Sequence, residues 1–428
     1  MEIKTYKYPD RLFWETIQQR PELDMTSLFD TVQAVLHDVA TNGDESVLRY
    51  GDQFDKVRVA DLQVPENEIS EAETTLAEEL KQAIRIARQN IQKFHASQQF
   101  EELTVETMPG VTCRQKAVAI EKVGLYIPGG TAPLFSTVLM LAIPASIAGC
   151  REIILCTPPN RAGKVHPAIL YAAKVAGVNK IFKAGGIQAI AAMTYGTETV
   201  PKVYKIFGPG NQYVVAAKQL VGLKDVAIDM PAGPSEVEII ADEAANPAFI
   251  AADFLSQAEH GADSQSVLVT VSERLAEAVK KEITEQLSKL PRRDFVEKSL
   301  SHSCIVILNN DEEIIDFTNQ YAPEHLIIQT ANYAEISDGI INAGSVFLGP
   351  YTPESAGDYA SGTNHTLPTK GYAKMYSGVN LDSFVKKITF QEITREGLQM
   401  LGPAIEVMAE AEQLEAHKNA VSVRVGEN

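Results

Sequence analysis

The chain has 428 residues, 45% hydrophobic and 22% charged, which allows several domains with buried cores and excludes a disordered or low-complexity protein. With 38 basic against 56 acidic residues its formal charge is −18. There is no cationic surplus to displace counterions from phosphates, so neither nucleic acid nor an anionic membrane is an expected partner.

The most apolar stretch, 134–148, contains Ser136 and Pro144 and is too short to span a membrane, and the first residues lack the apolar segment of a signal peptide. Four cysteines without C-x-x-C spacing suit free thiols in a reducing compartment. A cytoplasmic location is expected, and any metal has to rely on His and carboxylate ligands.

The first hundred residues predict helices. Asn42-Gly43-Asp44 separates two short ones, with Asp44 as the expected cap of the second. Leu76, Leu80, Ile84, Ala87, Ile91 and Phe94 then mark one face of a long amphipathic helix. From about residue 117 short β-rich runs recur at 123–127, 152–156, 180–184 and 202–207, with apolar helical stretches between them. A second series follows at 237–241, 266–271, 303–308, 326–330 and 345–349. Such alternation predicts βαβ units, hence two α/β lobes with parallel sheets. After about residue 380 the pattern is helical again, broken at Gly402-Pro403, and the alternating 421–425 run predicts a closing strand.

Three strand ends of the first series carry glycine clusters: Tyr126-Ile-Pro-Gly-Gly130, Gly185-Gly-Ile-Gln188 and Phe207-Gly-Pro-Gly-Asn211. None is a G-x-G-x-x-G, and each alone reads equally well as a tight βα turn. Together, at the carboxyl ends of strands, they favour a nucleotide or another polar ligand.

Other candidate groups lie further on. Gln257 and His260 stand three apart near a helix end that Gly261 would terminate. Glu324-His325 sets an acid beside an imidazole just before a predicted strand. Residues 353–369 place Glu354, Asp358 and His365 among small residues, as a loop folding over a ligand would. Glu412 and His417 end the C-terminal helical pattern, where a lone His ordinarily meets the helix dipole and solvent. Taken singly, Q-x-x-H reads more readily as a capped helix end and Glu-His as a chance pair; together these features leave open an α/β enzyme with a His/Asp metal site and a nucleotide site.

The runs YIPGGTAPLFSTVLM, KIFGPGN, DMPAGPSE, LSQAEHGADSQ, YAPEHL and ESAGDYASGTNHTLPT resemble the histidinol dehydrogenase family, and the resemblance covers about residue 20 to His417. It implies NAD-dependent, four-electron oxidation of L-histidinol to L-histidine through bound L-histidinaldehyde, the last steps of histidine biosynthesis. It also implies one Zn²⁺ per subunit and a homodimer with active sites shared between chains. The implied fold is two incomplete Rossmann-like lobes with small helical terminal segments. An N-terminal segment would cover 1–22, a first, discontinuous lobe 23–125 and 235–380, a second lobe 126–234, and a dimerisation segment 381–428.

Carried onto this sequence, the family's zinc ligands are Gln257, His260, Asp358 and His417. Substrate contacts are Ser235, Gln257, His260, His325, Asp358, His365, Glu412 and His417, with Glu412 and His417 supplied by the partner chain. His325 is the implied general base and Glu324 the group that activates water. Tyr126, Gln188 and Asn211 match NAD contacts. Rival readings are a dehydrogenase of a related amino alcohol, a zinc hydrolase, and a non-catalytic binder of histidine-like amines. The hydrolase leaves the glycine-rich strand ends without a purpose, and the binder has no need of Glu324 and His325.

Overall fold

The structure is a computed structural model describing residues 3–21, 26–129, 132–178 and 180–426. Both predicted series of apolar runs form parallel sheets. The first sheet contains β4 (Lys122–Tyr126), β5 (Glu152–Thr157), β6 (Lys180–Lys183), β7 (Lys205–Phe207) and β8 (Ala227–Ile228), in the order β6-β5-β4-β7-β8. That is the 3-2-1-4-5 order of a Rossmann sheet, one strand short.

The second sheet repeats this order with β9 (Glu236–Ala241), β10 (Gln265–Thr270), β11 (Cys304–Ile307), β12 (His325–Gln329) and β13 (Ser345–Leu348). A strand from the N-terminus, β1 (Lys4–Lys7), joins its edge beside β11, so part of the expected helical N-terminal segment is β-structure. β9, β10 and β12 are buried along their whole length, as strands covered by helices on both faces require.

The short helix Trp14–Ile17 packs on the second sheet, whereas the helices between residues 26 and 96 pack on the first sheet's lobe. Ile84, Ala87 and Ile91 of the helix Glu78–Ala96 share a core with Val138, Leu139 and Leu141 of the helix Phe135–Ala148. Val32, Leu36 and Val39 of the helix Thr26–Tyr50 share another with Ile190, Met193 and Ala216. The expected grouping of 23–125 with 235–380 is therefore corrected: these helices belong with 126–234, and β4 is that sheet's central strand. Covered on both sides, Phe135–Ala148 is apolar all round and has no helical stripe to read. At Gly43 (φ 54°) the helix Thr26–Tyr50 breaks, as the sequence predicted. The Asp44 carboxylate bonds the hydroxyls of Thr197 and Thr199 across the lobe.

A third sheet, antiparallel and ordered β14-β3-β2, contains β2 (Leu103–Met108), β3 (Val111–Ala119) and β14 (Val385–Ile393). It leads into a hairpin of two helices, Arg395–Ala411 and Glu415–Val425. The predicted 421–425 strand is thus helix. Val421 and Val425, four apart on one face, close on Gly402, where a Cβ would lie 3.0 and 3.2 Å from their methyl carbons. Among the described residues no helix is long and apolar enough to cross a membrane.

Candidate active site

The Glu324-His325 pair lies at the amino end of β12, with both side chains buried. Neighbouring β9 begins at Glu236, whose N–H donates to Glu324 Oε2 at 2.9 Å and whose carbonyl lies 3.4 Å from His325 Nδ1. Three carboxylates surround the imidazole. Nδ1 is 3.7 Å from Glu324 and 3.9 Å from Glu354, and Nε2 is 3.5 Å from Asp358. Burial alone would lower the His325 pKa, but these carboxylates together raise it. Burial pushes Glu324 up to about 7, against the pull of His325.

Glu354 and Asp358 come from the 353–369 run, which contains a short helix, Glu354–Tyr359. Their four-residue spacing puts both carboxylates on one face, a pattern that reading the run as a loop overlooked. His260, just beyond the helix Pro247–Ala258, completes a group in which His260, Glu354 and Asp358 offer ligand atoms within 4.8 Å of one another. One turn earlier Gln257 is fully buried, and neither amide atom has a partner. An orphaned amide beside nitrogen and oxygen donors, without sulfur, fits a divalent cation of the Zn²⁺ type with room for further ligands.

His365 joins the group from the same loop, Nδ1 lying 2.8 Å from the Asp358 carbonyl and Nε2 3.1 Å from Thr137 Oγ1. Ser235, half-buried, stands directly before β9.

At the carboxyl ends of the first sheet a cavity of about 940 Å³ is lined by Tyr126, Gln188 and Asn211, together with Pro128, Phe54 and Asp55. The Gly186 N–H donates to the Tyr126 hydroxyl at 3.1 Å, and Asn211 caps the helix Gln212–Gly222. Asn211 Oδ1 accepts from the N–H groups of Tyr213 and Val214, which ties the helix start to the cavity rim. Gly208 (φ 128°) has to be glycine, since a Cβ there would lie 2.0 Å from the Tyr126 carbonyl oxygen.

The family model for histidinol dehydrogenase matches residues 18–425. The chain belongs to the histidinol dehydrogenase family. It is 64% identical over 423 residues to histidinol dehydrogenase of Bacteroides thetaiotaomicron, covering 99% of both chains. It is 54% identical over 415 residues to the chloroplastic enzyme of Arabidopsis thaliana, covering 96% of this chain and 88% of that one. A crystal structure of histidinol dehydrogenase from Elizabethkingia anophelis superposes with a TM-score of 0.97 at 54% identity, covering 99% of this chain and 98% of that one.

Within one chain of this histidinol dehydrogenase fold, the structure gathers His260, Glu324, His325, Asp358 and His365, and separately Tyr126, Gln188 and Asn211 around the cavity. It does not bring Glu412 and His417 to either group, because both are exposed on the C-terminal hairpin. Sequence reasoning noticed Glu354 but assigned it no role. It missed Asp55 entirely, because the cavity recruits Asp55 from the helical layer by packing. Burial pushes Asp55 up to about 6, opposed by a hydrogen bond from Gln188 Nε2 at 3.2 Å.

Proposed function

We propose that the protein oxidises L-histidinol to L-histidine through bound L-histidinaldehyde, with two NAD and one Zn²⁺ per site, as the last steps of histidine biosynthesis in the cytoplasm. The observation that carries this reading is the buried His325, caged by carboxylates, together with a separate dinucleotide-sized cavity lined by Tyr126, Gln188 and Asn211. NAD, when bound, would supply the hydride acceptor, and Zn²⁺ would supply a Lewis-acidic anchor for the substrate. Gln257, His260 and Asp358 would hold the metal, with the partner subunit's His417 completing the set.

The residues of the chain move the protons. On their own the carboxylates favour a charged His325. Once Asp358 holds the metal and Glu354 the substrate ammonium, that pull weakens, Nδ1 keeps its proton toward the Glu236 carbonyl, and Nε2 is free to act as the base. Nε2 takes the alcohol proton as the first oxidation proceeds, and the surrounding carboxylates stabilise the resulting imidazolium. Glu324 draws a proton from the water that hydrates the aldehyde, and His325 acts again in the second oxidation. Both Glu354 oxygens are buried and without a hydrogen-bond partner, which suits the substrate ammonium. Ser235 and His365 line the same site. Burial of the reacting groups limits escape of the aldehyde.

A homodimer with shared sites accounts for the unfinished surface of the third sheet and hairpin, where Ile388, Phe390, Met400, Val407 and Met408 are exposed. The partner subunit's Glu412 and His417 would then reach the substrate. A formal charge of −18 supports a small molecule rather than a polyanion as ligand.

The deciding experiment counts NADH formed per L-histidinol consumed, with and without a chelator. Two NADH, abolished by the chelator and restored by Zn²⁺, are expected. One NADH would mean the aldehyde escapes, and none would remove histidinol as the substrate. Sharing is tested by mixing inactive His260→Ala and His417→Ala chains under exchange conditions. Partial recovery is expected, and no recovery would place His417 outside the partner's site.

A further inference from the structure

Arg20 lies outside the site, yet three segments that build the site converge on it. Its guanidinium makes a bidentate pair with Glu236, Nε to Oε2 and Nη2 to Oε1, the latter at 2.8 Å. The pair is buried, with side-chain exposures of 14% and 2%. Nη2 also donates to the Tyr321 carbonyl at 2.7 Å, and the guanidinium stacks 3.9 Å from the Tyr321 ring centroid. The Tyr321 hydroxyl is held in turn by Gln265 Oε1 at 2.7 Å.

Each partner of Arg20 leads directly to a reacting group. Glu236 follows Ser235, and its own peptide groups meet both acid and base: its N–H holds Glu324 and its carbonyl faces His325 Nδ1. Tyr321 stands three residues before Glu324, ahead of Ala322, which is in the left-handed region at φ 54°. Gly371 ends the segment that carries Glu354, Asp358 and His365. A Cβ on it would lie 3.5 Å from Arg20 Nη1 and 3.6 Å from the Tyr321 carbonyl oxygen. Burial raises the Glu236 pKa, and the Arg20 guanidinium is the chief group opposing it, followed by hydrogen bonds with the backbone of Glu324 and Gly371.

We propose that Arg20 is a positioning residue: by pinning Glu236 and the Tyr321 carbonyl together it sets the starts of β9 and β12, and so the placement of Glu324 and His325. The proposal rests on the oxidation reading above. A buried ion pair contributes little net stability compared with an apolar pair of similar volume, whereas a shift of an acid–base pair by a fraction of an ångström costs rate. Lys cannot reproduce the planar fork that grips Glu236 and Tyr321 at once.

The test compares Arg20→Lys, Arg20→Met and the double variant R20M/E236M. Metal content, Tm and KM for each substrate are measured beside kcat. For Arg20→Lys we expect kcat about tenfold or more lower, with metal content and KM for NAD unchanged. In the double variant the Tm lost by Arg20→Met returns while kcat stays low. A kcat within about twofold of wild type in Arg20→Lys, or recovery of both Tm and kcat in the double variant, would reduce Arg20 to a structural residue. If the double variant does not regain its Tm, Arg20→Lys decides alone. Wild-type turnover in the same assay reports on the oxidation reading itself, so failure of that reading is seen separately from failure of the Arg20 role.

Discussion

The Thr137 hydroxyl and His365 Nε2 lie 3.1 Å apart, joining a helix of the first lobe to the 353–369 segment of the second. His365 Nδ1 is committed to the Asp358 carbonyl at 2.8 Å. That carbonyl only accepts, so Nδ1 carries the proton and neutral Nε2 accepts from Thr137. Just before this helix, Ala132 and Pro133 line the cavity. The backbone of Asp358, a candidate metal ligand, is thus steadied by a bond that begins beside the proposed cofactor site.

Thr137→Val keeps the shape and removes the donor. A buried acceptor left without its partner costs about 1–2 kcal/mol, and here the loss falls on the placement of Asp358. We expect KM for histidinol to rise about three- to tenfold with KM for NAD unchanged. Steady-state kinetics with each substrate varied in turn would show this, and an unchanged histidinol KM would detach His365 from substrate binding.

Glu354→Gln separates two roles for that carboxylate. If it meets the substrate ammonium, loss of charge in a buried setting should raise KM about tenfold or more while metal content holds. The protein should not lose thermal stability, since burial disfavours the charged form of Glu354. Metal analysis beside the kinetics distinguishes the alternative: falling metal content with steady KM would make Glu354 a ligand instead.

Asp253, which interacts electrostatically with Glu354, provides a pH test that reads stability rather than turnover. Burial pushes its carboxyl up to about 7 from an ordinary 3.8, although Gln329 Nε2 donates to it at 2.8 Å. The folded chain therefore holds a proton that the unfolded chain releases. Its contribution to stability is full below about pH 4 and is lost as pH rises toward 7. Asp253→Asn cannot lose that proton, so its thermal midpoint should match wild type near pH 4 and exceed it at pH 8. The shift corresponds to a gain of about 2–4 kcal/mol. Thermal unfolding across that range measures it, and a pH-independent offset between the two proteins would exclude the linkage.

Most of what the sequence determined about this protein was local. Short apolar runs marked the strands of both parallel sheets, because a strand buried on both faces has to be apolar throughout. Glu324 and His325 are neighbours in the chain, and Gln257 and His260 sit within one turn, so backbone geometry already held each pair together. The motifs then pointed to the family that the comparisons established.

Only the tertiary structure decided what those local pieces face. It brought His260 to Glu354 and Asp358, and Arg20 to Glu236 across 216 residues. It packed the helices between residues 26 and 96 on the first sheet, and it made 421–425 helical against Gly402 where the alternating pattern suggested a strand. The physical reason is the same in each case. Periodicity tells which face of an element avoids water, but hydrophobic burial is non-directional and does not name the partner. The partner is chosen by shape and polar pairing between segments far apart in the chain.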